Sequence, residues 1–126
     1  MRLNTLLLVA GLLALVFGLS FLLAPGAVLP VYGIQPDAAT TLMSRFFGAA
    51  LVHVGAVLYW VREVQEAAAQ RGLVLAGVVG SALGLAVALM GQLSGVVNSM
   101  GWSTVAIYAL LLLGYASHLR ARRATA

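Results

Sequence analysis

Residues 72–119 read GLVLAGVVGSALGLAVALMGQLSGVVNSMGWSTVAIYALLLLGYASHL and contain no Asp, Glu, Lys or Arg. A helix rises about 1.5 Å per residue and a bilayer hydrocarbon core is about 30 Å thick, so one crossing takes about 20 apolar residues. This stretch is about twice that length, and Asn98-Ser99-Met100-Gly101 divides it, so two crossings are predicted. Working outward, residues 46–61 and 3–36 are also uncharged. The first holds one crossing. The second holds another over residues 6–23, ended by Pro25-Gly26. The expected fold is all-α: one four-helix transmembrane bundle over 1–126, with helices at about 4–24, 38–62, 72–97 and 102–119 joined by short loops.

Composition agrees. The chain is 63% hydrophobic and 8% charged, and its mean hydropathy is +1.06, far outside soluble globular usage. The net charge of +4 could suggest nucleic acid, but the basic residues are seven scattered arginines at predicted helix ends and form no patch, so no nucleic-acid partner is expected. Their distribution reads instead as topology. Arg2, Arg62, Arg71, Arg120, Arg122 and Arg123 fall on the side of the termini and the 62–71 link, and Arg45 falls opposite. That asymmetry places both termini in the cytoplasm, in a cell membrane of the bacterial inner-membrane kind. Met1-Arg2 before an apolar run resembles a signal peptide. Its apolar stretch exceeds the usual signal core and no A-x-A site follows, so an uncleaved first crossing is expected. Cysteine is absent, which removes thiolate chemistry and disulfides.

Three prolines and two glycines in 25–36 predict a non-helical connection lying in the interface or folded back over the helices. Asp37 is a natural N-cap for the second helix, and Tyr59-Trp60 anchors its far end at headgroup depth. Trp102 marks the opposite interface. The arginine-rich tail after Leu119 is expected to be too short and polar to fold alone.

Helix three carries the most regular pattern. Gly77, Ser81, Gly84, Ala88, Gly91 and Gly95 alternate at spacings of four and three, one face of small residues that permits close backbone approach. Gly11, Ala14 and Gly18 on helix one, with Gly48 and Gly55 on helix two, are the expected facing positions. An internal packing seam, a dimerisation face and a backbone-lined solute path are all compatible with the stripe.

His53, near the middle of helix two, is a candidate by its cost in a membrane. It reads either as a neutral histidine bonded to a neighbouring helix or as an axial ligand, since Ala49 one turn away leaves room for a haem or chlorophyll ring. No cofactor is otherwise expected, and His118 lies too far along helix four to complete a bis-histidine haem. Arg45 either snorkels to headgroups or joins Asp37, Tyr32, Gln92, Ser94, Asn98 and Trp102 around a shallow pocket for an anionic or lipid-like ligand. The alternative for that set is ordinary closure of helix ends. No metal-ligand spacing, phosphate loop or intramembrane carboxylate pair is present, so no catalytic or metal site is expected.

Ala24-Pro25, Tyr32-Gly33, Arg45-Phe46-Phe47-Gly48-Ala49, Trp60 and Gly114-Tyr115 give the chain a resemblance to small four-helix bacterial membrane proteins of the DoxX-like group. The resemblance implies a four-helix membrane bundle and supplies no catalytic residues. The leading expectation is a non-enzymatic accessory, structural or lipid-associated membrane protein, whose partners are lipids, other membrane subunits or further copies of itself. A small oligomeric transporter or channel and a haem or pigment carrier through His53 are the competing classes.

Overall fold

The computed structural model describes the backbone of residues 1–124 and the side chains of residues 1–121. The fold is all-α. Its helices are α1 (Leu3–Leu23), α2 (Pro25–Val31), α3 (Ala38–Val61), α4 (Ala67–Leu93) and α5 (Gly101–Ala124). By length and composition, α1, α3, α4 and α5 can each cross a membrane. The chain divides into two compact units, Met1–Glu63 and Val64–Ala126. Each is a helical hairpin with its own seam.

Two expectations about helix limits are corrected by local backbone chemistry. Residues 25–31 are helical rather than a loop. Pro25 occupies the first helical position, where its missing N–H would have had no partner in any case. Pro30 removes one further backbone bond from a seven-residue helix, so the prolines shorten α2 without abolishing it. Gly33, at φ 77°, ends it: its N–H reaches the Pro30 carbonyl at 2.9 Å and that of Ile34 reaches Leu29 at 3.1 Å, a Schellman closure that requires the left-handed region. The same device shifts α4. Gly95, at φ 74°, lets Val96 N–H close on the Gly91 carbonyl at 3.1 Å, so the helix stops at Leu93 instead of 97. It starts at Ala67 instead of Gly72 because Ala67-Ala68-Ala69 are strong helix formers wherever the hydrocarbon begins.

α5 likewise continues past Leu119, where its end was expected, to Ala124, arginine and alanine both favouring helix. The side chains of Arg122 and Arg123, counted above toward topology, lie outside the described side chains. Asp37 caps α3 as expected. Its carboxylate accepts from Thr40 N–H at 2.7 Å while Thr40 Oγ1 accepts from Asp37 N–H at 2.9 Å, a reciprocal box.

In the first hairpin α1 runs antiparallel to α3, and the small residues of each are taken up by the other. A Cβ placed on Gly48 would stand 2.5 Å from Leu22 N and 2.6 Å from Gly18 O. One on Gly18 would stand 2.9 Å from Gly48 O, and one on Gly55 would stand 2.8 Å from Gly11 O. These are backbone-on-backbone contacts. The two glycines on each helix are seven residues apart, two turns, so both contacts fall on one seam. Lipid tails are as apolar as leucine, so dispersion at such close approach holds the helices. Ser44, one turn before Gly48, is buried and donates to the Phe21 carbonyl at 3.3 Å. Beside it the Phe21 ring meets Phe47 edge-on at 5.3 Å and Tyr32 at 6.1 Å, and buried Leu29 fixes α2 to this end.

The second hairpin uses the same seven-residue spacing with different residues. Gly77 lies under the Tyr115 ring, where a Cβ would come within 2.5 Å of ring carbons, and Gly84 lies as tightly under Tyr108. Ser81 sits between them, buried, and Val74 and Tyr115 are buried beside the seam. Of the stripe on this helix, Gly77, Ser81 and Gly84 therefore face α5 and Ala88 is half-buried. A Cβ on Gly91 or Gly95 would meet nothing within 4 Å, and Gly95 has left the helix. Glycine against tyrosine replaces glycine against glycine: a planar ring fills the groove that a missing side chain leaves.

Candidate functional site

α3 positions both basic residues that sequence reasoning singled out within a membrane span. Its midpoint lies between Ala49 and Ala50. At 1.5 Å per residue His53 is therefore about 5 Å from that midpoint and Arg45 about 7 Å on the other side. Successive residues turn by about 100°, and the α1 seam uses Ser44, Gly48 and Gly55. His53 falls on the opposite side of the helix, and Arg45 falls on its flank. Both side chains are exposed. Neither makes a hydrogen bond or ion pair among the described residues. Ala49 and Ala50, one turn before His53, are exposed as well.

Of the polar residues expected to line a pocket, Asp37, Ser94 and Asn98 are engaged locally. Asp37 serves its own helix, and the Thr40 N–H and hydroxyl hold its carboxyl below the usual carboxylate range. No ion pair joins Asp37 to Arg45 among the described residues. In the second hairpin Ser94 donates to the Met90 carbonyl at 2.6 Å, and Asn98 Oδ1 accepts from Met100 N–H at 3.0 Å, closing the two ends of the α4–α5 turn. The Gln92 amide packs against Gly101, with its Oε1 buried and unbonded. Trp102 is half exposed. Tyr32 belongs to the aromatic cluster with Phe21. The first hairpin thus holds Asp37, Tyr32 and Arg45, and the second holds Gln92, Ser94, Asn98 and Trp102.

At the other end of α3 the Arg62 guanidinium stacks on the Tyr59 ring at 4.0 Å. It also donates to the Tyr59 carbonyl and reaches Glu63 at 3.2 Å. Trp60 stands edge-on to Tyr59 at 6.3 Å and is 74% exposed. Amphipathic rings beside a cation suit headgroup depth.

The residues that sequence reasoning did not assign to their partners are Tyr108 and Tyr115. Their signal was present as a second seven-residue spacing, matching Gly77 and Gly84 when the helix runs antiparallel. Among the described residues no group of three His, Cys, Asp or Glu could hold a metal ion.

Four membrane-length apolar helices around two close-packed seams define a small multi-pass integral membrane protein. No protein-family model matches the chain, and no curated protein or solved structure matches it.

Proposed function

We propose that this is a non-enzymatic accessory or structural component of a cell membrane, associated with lipid or with other membrane subunits. The observation that carries the reading is the use of its polar side chains. Asp37, Thr40, Ser94 and Arg62 bond to the ends of their own helices and Asn98 to the turn between α4 and α5, while many large apolar side chains along the spans are exposed. Leu75, Val79, Leu83 and Val87 recur at four-residue intervals on α4, and all are exposed. A chain built this way spends its polarity on closing helices and its surface on contact with lipid and neighbours. The short motifs that resemble the DoxX-like group fit a bundle of this kind and add no activity.

The arginine distribution supports a bacterial inner membrane with both termini in the cytoplasm. Purification from the native membrane in mild detergent tests the reading. A membrane protein or lipid retained in fixed stoichiometry is expected. Turnover or flux of a solute by the purified chain in proteoliposomes would sink it.

A further inference from the structure

Arg45 is a full charge about 7 Å from the midpoint of α3, inside a hydrocarbon half-thickness of about 15 Å. A cation at that depth is costly and sits against a partner. The chain has three side-chain carboxylates, Asp37, Glu63 and Glu66. Glu63 and Glu66 follow the far end of α3, so with α3 across a bilayer they lie at the opposite boundary. Asp37 is at the near end, but eight residues, about 12 Å of rise, separate it from Arg45. Its carboxylate is already taken up by the Thr40 N–H and hydroxyl. The chain therefore supplies no carboxylate to Arg45, and the anion must come from outside it.

Side chains of a helix lean toward its start, and the start of α3 is the boundary nearer to Arg45. Its stem therefore rises toward headgroup depth. Thr41 lies one turn nearer that boundary and about 40° round the helix, on the same flank. It is half-buried, and its hydroxyl makes no hydrogen bond among the described residues. Leu42 and Phe46 beside them are 51% and 63% exposed, apolar surface that suits acyl chains and disfavours a free, hydrated anion. We infer that Arg45 and Thr41 hold the phosphate of an anionic phospholipid in the leaflet at the Asp37 end of α3. The guanidinium is a planar fork that meets two phosphate oxygens at once, and the hydroxyl adds a further donor. This site presupposes the lipid-associated reading above and adds the headgroup and the residues that hold it.

Native mass spectrometry of the full chain in mild detergent with added phosphatidylglycerol reads the site. Wild type should retain the lipid, and Arg45→Gln should retain several-fold less. Thr41→Val leaves every charge in place and should lower retention in the same direction. Arg62→Gln should retain lipid as wild type does, because that guanidinium is already held by Tyr59 and Glu63. Retention unchanged in both Arg45→Gln and Thr41→Val would overturn the site. Equal loss in Arg62→Gln would reduce the effect to net charge and overturn it as well. Inorganic phosphate that displaced the lipid from wild type would show a free-anion site instead. Wild type that retained no phosphatidylglycerol but co-purified with a membrane subunit would sink the headgroup site and leave the accessory reading standing. Solute flux in proteoliposomes alongside Arg45-dependent lipid retention would do the reverse.

Discussion

Asp37 shows how much one side chain at a helix start decides. Its carboxylate accepts from the Thr40 N–H and hydroxyl, and its pKa is lowered from 3.8. A depressed folded-state pKa makes this contribution to stability complete above the unfolded value and lost as pH falls through the folded one. Wild-type protein in detergent should therefore lose part of its thermal stability on acidification below about pH 4. Asp37→Asn should keep a cap and flatten that dependence. An unchanged pH profile in the variant would show that the carboxylate is not the group responsible.

Gly48 is the second residue-scale test. A Cβ there meets the backbone of Leu22 and Gly18, which cannot yield like a flexible side chain. Gly48→Ala should cost about 1–3 kcal/mol as overpacking does. Gly72→Ala, with nothing within 4 Å, should be neutral or stabilising by up to about 1 kcal/mol through helix propensity. Thermal unfolding of the two variants side by side decides the matter.

At the scale of elements, the two hairpins reach one geometry from different residues. Repeats of seven keep a contact line on one face of each helix. On α1 and α3 the line is glycine on both sides, so the axes come close. On α4 and α5 it is glycine under tyrosine, so the ring supplies the contact area. This difference yields a directional prediction within α4. Gly84→Leu drives a side chain into the Tyr108 ring and should lower the unfolding temperature markedly, whereas Gly80→Leu enters open space and should be milder. If a thermal assay ranked them the other way, the α4 seam would be on the wrong face. Short elements follow the same logic of local closure: α2 exists because Pro25 falls at its start and Gly33 just past its end, the order that suits helix termini.

For the molecule as a whole, the testable quantity is orientation. If α1, α3, α4 and α5 each cross, order along the chain puts six arginines on the side of the termini and the α3–α4 link and Arg45 on the other. With four crossings, a reporter fused at Gln70 should read cytoplasm and one at Ser99 should read exterior. Reversed readings would invert the topology, and matching readings would change the number of crossings.

Four helices apolar and long enough to cross a membrane were legible in the sequence alone, because the absence of charge over a bilayer's length is a property of composition that no tertiary contact alters. The N-cap at Asp37 was legible for a similar reason: capping is settled within four residues. Helix ends at Gly95 and across Pro25–Val31 were not legible, since they depend on which backbone carbonyls a left-handed glycine can close. Of the candidate site, the residue types and their depths could be read from order along the chain, but not which way they face. Only the tertiary structure decided that the glycines of α1 meet those of α3, that tyrosines fill the groove of α4, and that His53 and Arg45 lie outside the first hairpin's seam. The reason is physical. In lipid the helices gain little from hydrophobicity as such, so pairing is chosen by shape at close range, and shape is a property of two helices together.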